Sequence, residues 1–503
     1  MGFLSPDLKN MKISSKIEMH HPHGDIPSQR RSSNMEYTCI NEKGQVEFDL
    51  EENLIQIPTG LHGFSNTKTG LYPQKFNGHD ALLIFGDLRV TEHDRICPKC
   101  GAKMHVNRRS VVVLHHLSFG STYTNVGFPH IQFQCPKCES TKSQFIPFRA
   151  EGHRITTELC TYIKDLLSLN TLTLKEISNV TGIDENIVKA IDLQRLKEKY
   201  TFEGHLKKPE KACEFIGIDE FKLHDGYKFA THIIDMESGH ILWIAEGKKK
   251  QVVYDFINHV GNDWMMHVKA VACDMNSDFE EAFKEKCPHI QPVFDYFHIV
   301  KNFNDKVVGE IRKDVQKEME AEGDKDGAKM LKRSRYILTS SRKTLEEKDK
   351  NRNASSQELN KKESIFKHRD FAQPKGSLVA RYNELIASNK LLFTCDLLKE
   401  KLRIAYTRDV VLDMALDVLE MIDVCEGSGN VHLKWFGRLL ENHFDGIVAH
   451  ARFQISAGKT EGINNRIKTI RRMGYGYPDD EYFFLKLIDM SHSKDMKSHQ
   501  NLD

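Results

Sequence analysis

The sequence predicts a multidomain α/β protein, in which a cysteine-containing module and a helical module precede a mixed sheet. Three observations support this class: two Cys-x-x-Cys pairs early in the chain, a helical period after them, and then short apolar strands that end in aspartates. With 503 residues, the chain is long enough for about three domains.

Composition excludes some classes of protein and leaves others open. The 72 Lys and Arg residues balance 71 Asp and Glu residues, so the net charge is +1 and only the distribution of charge can indicate nucleic acid. No run of about 18 apolar residues occurs, so we expect no transmembrane helix and no membrane partner. The N-terminus lacks the apolar core of a signal peptide, which predicts a cytoplasmic protein.

The cysteine pairs predict a zinc ribbon over residues 91–150, after a polar N-terminal extension over residues 1–90. The four thiols are those of Cys97, Cys100, Cys135 and Cys138. Two such turns supply the ligands of a closed tetrahedral Zn²⁺ site, and residues 110–114 and 130–134, between the cysteine pairs, are predicted to form the ribbon strands. The alternatives are a redox dithiol and a ribbon that has lost its metal.

Residues 151–205 have the pattern of a helix-turn-helix. Thr173 and Glu176 form a capping-box signature, a turn follows at residues 181–183, and a second helix begins after Asp184. We expect Lys189 and Arg195 to face outward from that second helix and to contact DNA. An ordinary helical hairpin with a solvated polar face is the alternative.

Residues 206–300 predict three antiparallel strands followed by helix, strand, helix and strand. Asp219 lies in the first strand, while Asp274 and Asp295 follow the later ones. Mixed sheets bind ligands at the C-terminal ends of their strands, so this order suggests a ribonuclease H-like sheet whose carboxylates hold Mg²⁺. Any single aspartate could instead cap a strand or a helix.

Residues 301–455 are helical in pattern, and residues 456–503 contain a final amphipathic helix and a C-terminal tail. On that helix Glu461 faces away from an isoleucine stripe and has cations beside it. We expect three of these cations to contact DNA phosphates: Lys468, Arg471 and Arg472. The alternative for Glu461 is a surface ion pair.

The segments IGIDEF, VACDMN, VFDYFHIVK and SAGKTEGINNRIKTIRRMGYG stand behind the cysteine pairs and the helix-turn-helix. In this combination they resemble the ISL-three family of bacterial DDE insertion-sequence transposases, over about residues 90 to 490. The resemblance implies a ribonuclease H-like catalytic domain that is split by an all-α insertion. It also implies that Asp219, Asp274 and Glu461 are the catalytic triad.

By the same resemblance the protein is a DNA-recombining enzyme of the bacterial nucleoid. It would bind double-stranded transposon ends and target DNA as a homodimer or a higher oligomer. It would cleave and transfer strands with Mg²⁺, or Mn²⁺, on the triad. Asp295 and His298 would assist the metal site or orient DNA, or would only connect a strand to the next helix.

Two other functions stay open at the level of sequence. One is a zinc-ribbon and helix-turn-helix regulator without catalysis, derived from a transposase. The other is a ribonuclease H-like nuclease that cuts DNA but does not join it. The intact carboxylates argue against the regulator, and the two modules that precede the sheet favour an enzyme that recognises particular DNA ends.

Overall fold

The structure is a computed structural model. It describes residues 38–40, 46–48, 59–73, 80–226, 228–275, 277–332, 334–359, 376–387, 389–455, 458–474 and 477–492. Most of the predicted N-terminal extension therefore lies outside the described residues. The chain forms two compact units, Met1–Leu206 with Met473–Ser493, and Lys207–Arg472 with Lys494–Asp503. Both α-helices and β-sheets are present, which confirms the mixed α/β class.

The first unit begins with β-structure. Its strands are β1 (Thr38–Ile40), β2 (Val46–Phe48), β3 (Phe64–Pro73), β4 (Asp80–Leu88), β5 (His105–Phe119), β6 (Thr122–Gln134) and β7 (Thr141–Ser143). Strands β1 and β2 pair with each other, and the others form a sheet of order β3-β4-β6-β5, with β7 beside β6. Only β4 and β6 pair in parallel within it.

The ribbon strands are longer than the sequence predicts, and the sheet includes β3 and β4, which lie within the expected polar extension. The first six residues of β5 are all exposed, so no apolar alternation marks them as a strand. Strand β3, with the sequence FSNTKTGLYP, is similarly polar. Both strands are defined by backbone pairing with a neighbour rather than by a buried face, and such pairing leaves a weak sequence signal.

Three helices follow in the first unit: α1 (Thr157–Ser168), α2 (Leu174–Thr181) and α3 (Glu185–Tyr200). The predicted capping box is present, because Thr173 and Glu176 satisfy each other's backbone N–H groups. Gly182 forms the turn at φ +72°, where a Cβ would lie 2.9 Å from the ring of Tyr123. Two short strands, β8 (Thr201–Phe202) and β9 (His205–Leu206), end this segment.

The second unit is built on a mixed five-stranded sheet. Its strands are β10 (Phe215–Lys222), β11 (Phe229–Asp235), β12 (Ile241–Glu246), β13 (Ala270–Cys273) and β14 (Gln291–Phe294). Their order is β12-β11-β10-β13-β14. The first three strands are antiparallel, and β13 and β14 run parallel to β10.

Helices cover the second unit and enter its core. Those near the sheet are α4 (Lys250–Val260), α5 (Asn262–Met265), α6 (Ser277–Lys286) and α7 (Tyr296–Phe303). Those of the insertion are α8 (Gly309–Ala321), α9 (Lys325–Lys332), α10 (Arg335–Thr339), α11 (Arg342–Leu359), α12 (Leu378–Ala387), α13 (Lys390–Ala405), α14 (Val411–Gly427), α15 (Val431–Asn442) and α16 (Phe444–Phe453). One continuous apolar cluster joins the sheet to these helices.

Two helices follow the insertion: α17 (Gly458–Met473) and α18 (Asp480–Ser491). The sequence placed both with the catalytic domain, in residues 456–503, but the chain divides after Arg472 and α18 belongs to the first unit. The physical reason is that α18 buries most of its residues and packs against α3. In the described part of the chain, no helix is long and apolar enough to cross a membrane.

Candidate active site and metal centre

Three aspartates, Asp219, Asp274 and Asp295, occupy neighbouring positions toward the C-terminal ends of the parallel strands of the second unit's sheet, which we call the carboxylate edge. In the register of β10 with β13, Gly217 lies opposite Ala272, so Asp219 and Asp274 occupy neighbouring positions two residues further on. The register of β13 with β14 brings Asp295 to the next position. Adjacent strands lie about 4.8 Å apart, so parallel pairing alone puts these backbone positions side by side.

The two accessory candidates have different surroundings. Asp295 is 7% exposed, and its side chain caps α7 by accepting a hydrogen bond from the N–H of Phe297 at 3.1 Å. This contact matches the structural alternative for Asp295. His298 instead places Nδ1 3.3 Å from Oδ1 of Asp274, so its ring belongs to the immediate surroundings of the carboxylate pair.

The surroundings of the Asp219 carboxylate disfavour its ionised form more strongly than its hydrogen-bond partners favour it. Burial raises the pKa of Asp219 above its ordinary value, and the nearby carboxylate of Asp274 adds to this rise. The Glu220 N–H, at 2.8 Å, and the Asn464 amide, at 2.7 Å, donate to its two oxygens and lower the pKa without cancelling the rise. A carboxylate whose ionisation is opposed by burial and by a neighbouring carboxylate favours a bound cation.

Helix α17 lies along β10 and is attached to the sheet near both of its ends. Near its start, Lys459 Nζ donates to the carbonyl oxygens of Met236 and Glu237, at 2.7 and 2.8 Å. Near its end, Arg471 donates to the carbonyl oxygen of Lys222 at 2.7 Å. Arg471, one of the predicted phosphate contacts, therefore also fixes the position of this helix.

The close approach of α17 to β10 depends on a glycine. A Cβ on Gly217 would lie 2.7 Å from Thr460 Cγ2, and Thr460 is only 2% exposed. One turn after Thr460, Asn464 reaches Asp219. Glu461 lies three residues before Asn464, a spacing that makes the two side chains neighbours on the helix surface, and Glu461 is exposed.

The structure brings Asp219 and Asp274 together and places Glu461 on the adjacent helix. Across the described residues, the four cysteines are the only group of three or more His, Cys, Asp or Glu whose ligand atoms all lie within 4.8 Å, so the three carboxylates are less compact than that. Lys459 reaches toward β11. At about 100° per residue, Glu461 lies on the flank of α17 opposite to Lys459.

Sequence reasoning missed two polar residues of this edge. Asn464 was overlooked although it follows Glu461 at i+3, which was the available signal. His232 lies opposite Asp219 on β11, is fully buried, and has no hydrogen-bond partner for either ring nitrogen within the described structure. Burial lowers the pKa of His232 to about 4, so the ring is neutral. A histidine inside an otherwise apolar strand was the signal for it.

The predicted ribbon cysteines converge in the first unit. Their Sγ–Sγ distances are 3.5 Å from Cys97 to Cys138, 3.4 Å from Cys100 to Cys135 and 3.6 Å from Cys100 to Cys138. A tetrahedral zinc ion with Zn–S bonds of about 2.3 Å would hold sulfurs roughly 3.8 Å apart. Because all four are free thiols at nearly this spacing, they fit a structural zinc site.

The two cysteine turns have the same backbone conformation. Gly101 N–H donates to the carbonyl of Cys97 at 2.9 Å, and Glu139 N–H donates to the carbonyl of Cys135 at 3.0 Å. The donor residue is left-handed in each turn, with φ +67° at Gly101 and +54° at Glu139. Each turn therefore presents its two sulfurs in the same way.

Ser140 is a further polar residue of this centre that the sequence did not indicate. Its hydroxyl lies 3.2 Å from the sulfur of Cys97 and 3.1 Å from that of Cys138. This hydroxyl is the main reason that the pKa of Cys97 is lowered to about 6. Stabilising a thiolate favours metal binding, because the thiolate is the form that binds metal.

One of the two DNA contacts predicted on α3, the second helix of the helix-turn-helix, points into the protein instead. Arg195 does not face outward: its side chain is 10% exposed and donates to Asp192 at 2.7 Å and to Asp489 at 2.9 Å. Its guanidinium neutralises two buried carboxylates, so Arg195 is not proposed again as a DNA contact. Lys189 is 34% exposed and lies 3.3 Å from Asp479.

Comparison with known proteins assigns the chain to a class. A family model described as "Transposase", that of the ISL-three (ISL3) group of DDE enzymes, matches residues 216–487, more than half of the chain. The transposase of insertion sequence element IS1001 from Bordetella parapertussis is 25% identical over 404 residues, which span 80% of this chain and 89% of that protein. The transposase of IS1557 from Mycobacterium tuberculosis is 28% identical over 85 residues, or 17% of this chain and 19% of that protein.

One structural similarity is distant. The Drosophila P element transposase strand transfer complex matches with a TM-score of 0.34 and 10% identity, over 69% of this chain and 95% of that chain.

The family match and the relative from Bordetella parapertussis define a transposase, an enzyme that cleaves DNA and transfers its strands. The chain belongs to the ISL-three family of DDE insertion-sequence transposases, which confirms the assignment made from its motifs.

Proposed function

We propose that this transposase cleaves and joins DNA on a ribonuclease H-like sheet, with two divalent ions held by Asp219, Asp274 and Glu461. The observation that carries the proposal is the placement of Asp219 beside Asp274. In addition, the helix that bears Glu461 is hydrogen-bonded to Asp219 through Asn464.

The strand order supports the ribonuclease H-like assignment. Three antiparallel strands lead into two parallel ones, and the first strand, β10, lies in the middle of the sheet. This topology brings the central strand and its parallel neighbours to a common edge, where mixed sheets bind ligands. The helical insertion between β14 and α17 accounts for the long separation of Asp274 and Glu461 in the sequence.

The donor set at this edge fits Mg²⁺ or Mn²⁺. Carboxylate and amide oxygens are the preferred ligands of these ions, and Oδ1 of Asn464 is a buried oxygen without a partner among the described residues. Carboxylates that share two ions about 4 Å apart need not all lie within reach of a single ion. Such an arrangement would allow Glu461 to bind one ion without lying close to both aspartates.

Bound divalent ions would stabilise the attacking and leaving oxygens at phosphorus. The chain's own residues hold the carboxylates and the DNA. His298 orients Asp274 from 3.3 Å away. Lys468 and Arg472 are exposed on α17, on the same side as Glu461, and can neutralise phosphates of DNA that lies there.

The first unit supplies recognition of transposon ends in this proposal. The ribbon, held by one zinc ion, and the helix-turn-helix are its two modules. Lys189 is the candidate contact on α3, since its cation is partly exposed. A homodimer or higher oligomer on DNA completes the proposal, because joining uses two ends.

The test is a set of isosteric substitutions that remove one negative charge each: Asp219→Asn, Asp274→Asn and Glu461→Gln. With DNA from the ends of the chain's own element and Mg²⁺, each should reduce both cleavage and strand transfer by at least about 10³-fold. Double variants should be no worse, since the three residues act as one site. Melting temperature and end binding should be unchanged.

Glu246→Gln provides the matched control, because this exposed glutamate lies on the same sheet, at the end of β12. It should cleave at the parent rate. Parent-like cleavage by any of the three variants would remove that residue from the site. Cleavage without strand transfer by the parent protein would instead indicate a nuclease, and binding without either reaction would indicate a regulator.

A further inference from the structure

Two helices of the insertion, α13 and α14, have apolar side chains on two opposite faces. Their inner faces lie in the continuous core of the second unit, with Leu398, Leu402 and Met421 among the buried residues. Their outer faces also carry large apolar side chains, but these are exposed. A helix that is apolar on all sides is normally covered on all sides. The outer faces are therefore candidates for an interaction surface.

The exposed apolar residues of the two helices follow a heptad spacing. We call them the outer stripe: Phe393, Leu397 and Ile404 on α13, and Leu412, Leu416 and Leu419 on α14. Intervals of three, four and seven residues place side chains on one helix face, through which helices pack on other helices. Glu400 lies within the stripe on α13 and pairs with Arg403 at 2.9 Å. The spacing indicates that a helical partner covers this face.

Both halves of the outer stripe open on the same side of the helix pair. Helices α13 and α14 are joined by residues 406–410 and pack on each other. Lys401 on α13 and Glu420 on α14 each lie within about 75° of their half of the stripe, at 100° per residue. These two side chains form an ion pair across the two helices. The stripe is therefore one continuous apolar surface with this ion pair at its centre line.

The outer stripe is large enough to form the core of an interface. Its side chains are 40–65% exposed, so at roughly 200 Å² for a fully exposed side chain of this size they present on the order of 600 Å². Soluble chains rarely expose a contiguous apolar patch of more than a few hundred Å². A stable dimer buries about 800 Å² on each copy, which the stripe and the charged residues beside it together provide.

The charges of the two helices indicate what covers the stripe. Helix α14 has five carboxylates and no lysine or arginine, whereas α13 has four cations and two carboxylates. The carboxylates of α14 repel phosphates, so DNA does not fit this face. A second copy of the chain does fit, because it offers a cationic α13 to each acidic α14.

We propose that two copies of the chain pair through the outer stripe, with α13 of each copy packed antiparallel against α14 of the other. A two-fold axis parallel to the helices gives this arrangement, and each copy then uses the same surface. Arg403 and Asp413 lie at equal distances from the connection between the helices, as do Lys390 and Glu426. The axis therefore brings Arg403 opposite Asp413 of the other copy, and Lys390 opposite Glu426.

This inference deepens the proposed function, which includes a homodimer without identifying its surface. It rests on that function only for the use of the dimer, which is to hold two transposon ends together. The pairing itself can be measured without DNA and without catalysis.

Sedimentation equilibrium of the full-length protein measures the pairing. The parent should dimerise, and Leu416→Glu, which puts a carboxylate in the middle of the stripe, should raise the dimer dissociation constant at least about thirtyfold. Its circular dichroism spectrum should match that of the parent, because Leu416 is 56% exposed. Met266→Glu is the matched control, since Met266 is 66% exposed in the same unit but follows α5, outside the stripe. It should dimerise like the parent.

Charge reversal tests which helices face each other. The pair Lys390→Glu and Arg403→Glu puts acids opposite the acids of α14, and the pair Asp413→Lys and Glu426→Lys puts cations opposite those of α13. Each pair should weaken the dimer about tenfold or more. All four substitutions together return opposite charges to the interface, so dimerisation should recover to within about threefold of the parent.

Three outcomes would overturn the inference. They are a parent that stays monomeric, a Leu416→Glu variant that dimerises like the parent, and a fourfold variant that does not recover. A monomeric parent that cleaves and joins DNA would leave the proposed catalytic site intact and refute this inference alone. A dimeric parent that does not cleave in Mg²⁺ would refute the proposed function instead.

Discussion

At the scale of the residue, Arg195 shows how burial changes the role of a charged side chain. Its position on the second helix of a helix-turn-helix predicts a DNA contact, but Asp192 and Asp489 are 0% and 2% exposed and need a cation between them. Burying a carboxylate without a partner is far more costly than leaving a surface arginine unpaired. The side chain therefore turns inward.

We predict that Arg195→Ala destabilises the first unit rather than only weakening DNA binding. Removing the guanidinium leaves the buried carboxylates of Asp192 and Asp489 with only Lys486 and Lys199 as cationic partners, which should cost about 1.5–3 kcal/mol of unfolding free energy. Urea unfolding followed by circular dichroism measures this. Lys189→Ala, which breaks one partly exposed pair, should cost less than about 1 kcal/mol. Equal losses in the two variants would contradict the structural role of Arg195.

At the scale of the element, the two cysteine turns show why the zinc ribbon could be predicted and its sheet could not. The Cys-x-x-Cys spacing is local, and it alone specifies a turn that presents two sulfurs. The strands that join these turns are partly exposed and have no apolar alternation over their first residues. Their extent depends on pairing partners elsewhere in the chain.

Metal removal tests the role of the ribbon. We predict that purified protein holds one zinc ion per chain, and that its chelation increases hydrogen exchange in β5 and β6 but not in β10 to β14. The reason is that only the first unit contains the four thiols, so loss of their cross-link acts there. Cys97→Ser should reproduce the effect. Full protection of β5 and β6 after complete removal of zinc would rule out a structural metal.

At the scale of the whole molecule, the chain returns to its first unit after completing the second. Helix α18 packs on α3, and Asp489 accepts hydrogen bonds from Arg195, from Lys199 at 3.0 Å and from Tyr200 at 2.8 Å. Lys486 reaches Asp192 in the same interface, at 2.9 Å. The C-terminal helix is therefore part of the folded helix-turn-helix unit.

This interface predicts a loss of stability in acid. Burial alone would raise the pKa of Asp489, but the hydrogen bonds and charge of Arg195 hold it well below its usual range. A carboxylate with a lowered folded pKa stabilises the fold above its unfolded value, near 4, and this stabilisation is lost as the pH falls below that value. The protection of α3 and α18 from hydrogen exchange, corrected for intrinsic rates, should therefore fall below about pH 4.

The Asp489→Asn variant is the comparison for this pH dependence. Without a carboxylate to protonate, its α3 and α18 should be less protected at neutral pH and should change less on acidification. A parent protein and a variant with identical pH profiles would show that Asp489 is not the group responsible.

The sequence by itself determined the class of the protein and the parts of its two candidate sites. The cysteine spacing, the capping box, the strand that contains Asp219 and the strands followed by Asp274 and Asp295 are all local patterns. Each is set by the geometry of one turn, one helix end or one strand, so it can be recognised without knowledge of the fold. The family motifs combine these local patterns and gave the correct family.

Only the tertiary structure decided which polar side chains meet. The hydrogen bond from Asn464 to Asp219 spans 245 positions, and that from Arg195 to Asp489 spans 294. The membership of α18 in the first unit has the same origin. Hydrogen bonding and burial depend on distances in space, and no local pattern specifies which distant segment will occupy the neighbouring position.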